Sequence, residues 1–282
     1  MSYPRLPDCR WGRGLLTSSL ARLEQEGVDY EYLTAISIYL AAMKLPLLLS
    51  VSLVALPALG QQTKLNRPLQ RELDSILVVD QQYRGYLVLA QNQAKADSLT
   101  DKLGLAKGKL FDYAIGNMLR TDESNLRRME AILQRYGYPG KSLVGTPANE
   151  AAFYVIQHSD KIPHYLPLIE KAAKQQEIPF KLYALMLDRY LMGEGKEQIY
   201  GTQGMTYRIL NKQTSQPEEV SFIWPVADAA HVDARRRKAG FLDSFDHNAR
   251  RMMGESYRVV TLPYALQIRR ESELFNQQRE KQ

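Results

Sequence analysis

The 282-residue chain is 45% hydrophobic and 24% charged, with a formal net charge of +6. That composition suits one folded domain, at most two, and excludes a disordered or fibrous chain. The basic excess does not mark a nucleic-acid binder, because acidic residues are interspersed nearly everywhere and only Arg235, Arg236, Arg237 and Lys238 form a dense cluster.

The first informative segment is MKLPLLLSVSLVALPALGQQ, beginning at Met43. It reads as a secretory signal: Met43 and Lys44 form a short positive start, Leu45 to Ala55 an apolar run, and Ala58, Leu59 and Gly60 a small-x-small cleavage pattern. Two rivals fit less well. Lys44 splits the apolar run from Tyr32 to Gly60 into pieces too short for a span of about 20 residues, and Pro46 and Pro57 oppose a long buried helix. The expectation is an initiator at Met43, with residues 1–42 an upstream extension, a signal over 43–60 and cleavage after Gly60. The protein is then periplasmic or secreted, with no stable membrane span after cleavage. Its only cysteine, Cys9, lies in the discounted segment, so the mature chain offers no disulfide framework or thiol nucleophile. Residues 1–60 hold five Lys or Arg and five Asp or Glu, so their removal leaves the net charge unchanged.

Helical periodicity dominates the chain beyond Gly60. Leu69, Leu73, Ile76, Leu77 and Leu87 recur at three- and four-residue steps and predict one long helix. A second is expected over Ser124–Tyr136, with Leu126, Met129, Ile132 and Leu133 inward and Gly137 as its left-handed cap. Thr146 and Pro147 are expected to open a third helix running through AAFYVIQHSD towards Pro163. A fourth covers Tyr165–Gln175, and a fifth runs from Pro179 to Met192. MTYRILN and EVSFIWP, rich in β-branched and aromatic residues, predict a hairpin. Helical texture returns at Ala229, and the polar end from Glu271 is expected to fray. The fold class is therefore mainly α: an antiparallel helical bundle or helix-hairpin array with a small β-hairpin after QIYGTQ. We expect one helical domain over 61–254 and a partly helical tail over 255–282.

Polar residues interrupt the apolar pattern at three places, where functional or strained sites are expected. Asp80 and Arg84 continue the buried stripe of the first helix and stand four residues apart, close enough to pair. His158 follows Tyr154 and Val155, with Gln157 and Asp160 beside it. Asp188 has Ala184, Leu185, Leu191 and Met192 as helical neighbours, with Arg189 next to it. A carboxylate so placed must be paired or protonated. QIYGTQ adds Gln198, Tyr200, Thr202 and Gln203 as donors and acceptors around Gly201. Each feature taken singly also fits a buried ion pair, a core histidine or a tight connection.

DQQYR from Asp80, YGYPGKSLVG from Tyr136, QHSD from Gln157, DR from Asp188, QIYGTQ from Gln198 and VDARRRKAG from Val232 occur in this order. In that combination, over about Leu69 to Gly240, the chain resembles an uncharacterised bacterial family of unknown function whose signatures are QHxD, DR and QxYGTQ. The stretch Phe222 to Asp246 matches more loosely. The resemblance implies kinship and no particular reaction.

Two functional classes are compatible with the residues. In the first the protein is an exported hydrolase or lyase. His158, whose ordinary pKa suits proton transfer at neutral pH, works with Asp160 or Asp188. Asp80, Arg84, Gln157, Arg189, Gln198, Tyr200, Thr202 and Gln203 bind a small molecule or cell-envelope polymer of anionic or carbohydrate-like character. No cofactor is expected, and no metal, since the spacing of His158, Asp160 and Asp188 matches no metal motif. There is no G-x-S-x-G elbow for a serine nucleophile. In the second class the protein is a non-catalytic helical binding or assembly module whose polar network is internal.

Overall fold

The computed structural model describes residues 64–280; the export signal expected over 43–60 and the segment before it lie outside the described residues. The described chain is mainly helical, with one two-stranded antiparallel sheet. It falls into two compact units, 64–186 and 187–280, and a single helix runs across the division.

The first unit is built on two long helices, α1 (Arg67–Leu89) and α3 (Leu110–Tyr136), joined through α2 (Gln93–Lys102). Asn66 caps α1 by accepting the Leu69 amide at 3.1 Å, and Pro68 occupies the first turn, where its missing N–H costs nothing. Leu69, Leu73, Ile76, Leu77 and Leu87 are buried, as their spacing predicts. The helices run antiparallel: Arg128 reaches Ser75 at one end, while Arg84 meets Asp122 further along.

Helix α3 is longer than the expected Ser124–Tyr136, because Leu110 and Ala114 extend its buried face upstream. Gly137, at φ +68°, ends it and donates to the Leu133 carbonyl. Helix α2 gave no periodic signal because Thr100 is its only buried residue; Asn92 caps it by accepting the Lys95 amide.

The YPGKS stretch is a latch. In α4 (Lys141–Val144), the Ser142 amide and hydroxyl both donate to the Glu177 carboxylate, at 2.8 and 2.7 Å. The Tyr138 hydroxyl donates to the Asn149 carbonyl. The expected third helix is shorter than its pattern suggests: a 3-10 turn over Ala148–Glu150 leads into α5 (Ala151–Gln157), and neither start carries a side-chain cap. The expected fourth helix is α6, Ile162–Lys174, which begins three residues before Tyr165. The break falls at Ser159, whose hydroxyl donates to the Ile156 carbonyl and accepts the Lys161 amide, competing with helical continuation. His158 is thus at the end of a helix rather than inside one.

Helix α7 (Phe180–Gly193) crosses into the second unit, where β1 (Gly204–Leu210) pairs with β2 (Pro217–Ile223), Gly204 opposite Ile223 and Leu210 opposite Pro217. Strand alternation sends Val220 and Phe222 into a core with Trp224, Met192, Ala265 and Ile268. It sends Ile223 into another with Val226, Val232, Ala249 and Met252. The second core is closed by α8 (Val232–Ala239) and α9 (Phe245–Met253), and the first by α10 (Leu262–Glu280). The polar C-terminal stretch is therefore a regular helix that buries Ala265, Ile268 and Phe275 instead of fraying.

Phe222 is fully buried against Tyr207, Trp224 and Tyr264 rings. Phe222→Ala is expected to cost about 3–5 kcal/mol, the range for deleting a core aromatic. Urea unfolding of the full chain measures it, and a loss below about 1 kcal/mol would show a core able to collapse around the gap.

Candidate functional site

The polar residues of the first unit gather around Asp80, which is 1% exposed. Gln81 Nε2 donates to Asp80 Oδ2 at 2.7 Å. Arg84 lies one turn further on, with Nη1 3.6 Å from Asp80 Oδ2 and donating to the Asp80 carbonyl at 2.7 Å. The same guanidinium makes a bidentate pair with Asp122 of α3, both bonds at 2.9 Å. Such a fork holds orientation as well as charge. The Asp80 carboxylate faces His158 from a third element: His158 Nε2 is 4.0 Å from Asp80 Oδ2. Gln157 Nε2 lies 3.4 Å from the same ring nitrogen.

The structure thus brings Asp80, Arg84, Gln157 and His158 together and adds Asp122, which the sequence pattern did not single out. Once α3 begins at Leu110, Asp122 stands three residues before the buried Asn125 and seven before the buried Met129, on the inner face. That stepping is the signal that could have found it. Asp160 is not brought in. It is 69% exposed and lies 3.6 Å from Lys161 Nζ.

The polar residues of the second unit form a different object. Asp188, fully buried on α7, receives the loop Gln198–Gln203. Oδ1 accepts the Ile199 amide at 2.7 Å, and Oδ2 accepts the Thr202 amide and hydroxyl at 3.0 and 2.9 Å. The Tyr200 amide is shared between the two oxygens at 3.1 Å each. Burial pushes the Asp188 carboxyl above its usual range, while these four donors pull the other way. The donors to Asp188 come from the loop, and Arg189, its neighbour in the chain, is half-buried.

The loop carbonyls are tied as thoroughly. Arg235 Nε donates to the Ile199 carbonyl, Arg236 Nη1 to that of Tyr200 and Asn248 Nδ2 to that of Gly201. Gln198 donates to the carbonyls of Gln203 and Trp224 and accepts the Gln203 amide. Gln203 turns its amide nitrogen back onto Thr202. Arg236 is itself pinned by Asp243, and Asp233 accepts the Phe245 amide. Gly201 sits at φ +68°, and a Cβ there would run into the Phe245 ring. Gln198, Thr202 and Gln203 spend their hydrogen bonds inside this knot. The Tyr200 ring is half-buried, 6.3 Å from that of Phe241.

Among the described residues no group of three or more His, Cys, Asp or Glu could hold a metal ion. No described helix is long and apolar enough to cross a membrane.

This is a mainly helical chain whose polar positions fall into a buried Asp-Arg-His cluster and a carboxylate-centred loop knot. It belongs to the family of unknown function DUF6624, whose model matches residues 109–260. The matched stretch takes in Asp122, His158 and the whole Asp188 knot, and begins after Asp80 and Arg84. No curated protein and no solved structure matches the chain.

Replacing Asp188 by Asn puts an N–H donor where a carboxylate oxygen now accepts, leaving buried donors opposed. Asp188→Asn is expected to cost about 3 kcal/mol or more. Gly201→Ala is expected to destabilise as well, through its positive φ and the Phe245 clash. Thermal and denaturant melts check both; wild-type stability in Asp188→Asn would mean the knot is not structural.

Proposed function

We propose that the protein is an exported enzyme of the hydrolase or lyase type, with His158 as its general acid and base. The observation that carries this reading is the approach of Asp80 Oδ2 to His158 Nε2, at 4.0 Å, with Asp80 itself held by Gln81 and Arg84. A buried carboxylate beside an imidazole fixes the ring's orientation and stabilises the cation formed when the ring takes a proton. Arg84, bidentate on Asp122, then serves to position Asp80. Gln157 is the polar neighbour best placed to orient the ring. The side chain of His158 is 8% exposed, a burial that strengthens charge interactions around it.

Export rests on the signal-like pattern from Met43 to Gly60. The substrate is accordingly a molecule met outside the cytoplasm, a carbohydrate-like or anionic fragment of the cell envelope. Asp188, expected as a catalytic partner of His158, and Gln198, Thr202 and Gln203, expected to bind substrate, are better read as scaffold, since their bonds are made within the loop knot.

That knot also favours a second reading, a non-catalytic binding module whose buried polar residues are all structural. His158→Gln separates the two. The enzyme reading predicts a melting temperature within about 3 °C of wild type together with loss of the phenotype that wild-type protein restores to a deletion strain. A large fall in melting temperature would instead assign His158 to the structural network. Thermal-shift screening against peptidoglycan fragments, glycans and small anions should find a ligand whose stabilisation His158→Gln reduces.

A further inference from the structure

The loop Gly240–Ser244, between α8 and α9, carries the most exposed large apolar side chain among the described residues, Leu242. The loop is braced on both sides of it. Gly240, at φ +90°, ends α8, with its amide donating to the Arg237 carbonyl and that of Phe241 to the Arg236 carbonyl, both at 3.1 Å. The Arg236 guanidinium lies 4.6 Å from the centre of the Phe241 ring and bonds both the carbonyl and the carboxylate of Asp243. Ser244 then caps α9 by accepting the His247 amide. A leucine on a slack loop can fold back onto its own protein. On this braced one it stays in water until something covers it.

The surroundings say what would cover it. Arg237 and Lys238, in the last turn before the loop, are exposed and have no acidic partner among the described residues. The nearest acids in sequence are engaged elsewhere, Asp233 by the Phe245 amide and Asp243 by Arg236. Along the loop the other exposed side chains, Ser244, Asp246 and His247, are polar and the Phe241 and Phe245 rings are partly buried, so the loop itself offers one fully exposed apolar side chain and no extended apolar patch of the kind a protein contact requires. An exposed leucine four and five residues after two exposed cations, on a braced loop, matches the boundary of an anionic bilayer, where phosphates meet acyl chains.

We propose that Leu242, Arg237 and Lys238 form a docking tip that places the protein reversibly on anionic membrane surfaces. One inserted side chain and two cations give weak attachment that salt reverses. This surface is independent of the chemistry assigned to His158.

Sedimentation of the full chain with phosphatidylglycerol–phosphatidylcholine vesicles tests it, with pure phosphatidylcholine as the comparison. Binding is expected to the anionic vesicles only, and to be lost at about 0.5 M salt, where charges are screened within a few ångströms. L242D, and separately R237E/K238E, should each lower the bound fraction about tenfold with an unchanged melting temperature, since all three side chains are exposed. No binding by wild type, or wild-type binding by L242D, would overturn the proposal. So would a dimer that L242D disperses in a chain that ignores vesicles, which would make the tip a protein contact.

Discussion

The carboxylate of Asp188 is the constraint on which the second unit depends. Three amides of one loop, at Ile199, Tyr200 and Thr202, point at a single buried pair of oxygens. A charge taken out of water is tolerated only when its hydrogen-bonding capacity is filled, and here the loop fills it. The constraint works in both directions, because the loop has no helix or sheet ladder of its own to satisfy those amides. Arg235, Arg236 and Asn248 complete the arrangement from the carbonyl side, so the DR, QxYGTQ and VDxRR stretches are three parts of one object.

Asp80 is a different kind of buried acid. Its partners are side chains of differing proton affinity, an amide and a guanidinium from its own helix and an imidazole from the end of α5. Backbone amides cannot change protonation state, whereas an imidazole does so near neutral pH. That contrast is the physical reason for assigning chemistry to the first cluster and scaffolding to the second, although both were equally conspicuous as polar interruptions of apolar stripes.

Much of this was legible in the sequence, and the failures have identifiable causes. The stripe from Leu69 to Leu87, the cap at Gly137 and the strand texture around Arg208 and Phe222 report directly on burial and backbone preference, and the elements stand where they were expected. Helix α2 escaped because it buries almost nothing, and the early start of α3 because Leu110 and Ala114 lie among polar residues. The third helix ends at Gln157, short of Pro163, where Ser159 makes a side-chain bond that periodicity does not register. At the sites, the pairing of Asp80 with Arg84 was visible as a four-residue step, and the gathering of Gln157 and His158 around them required the tertiary fold. Asp160 was named for its nearness to His158 in the chain, but the end of α5 leaves it facing solvent. The roles of Arg235 and Arg236 were hidden because a run of basic residues reads as surface, and Arg236 is among the most completely buried side chains.

The most direct test of the division between a chemical cluster and a structural knot is the titration of the His158 imidazole, followed by NMR in the full chain. Asp80→Asn is expected to move this titration to lower pH, because removing the adjacent negative charge weakens the imidazolium. An imidazole that titrates identically with and without the Asp80 carboxylate would contradict the division.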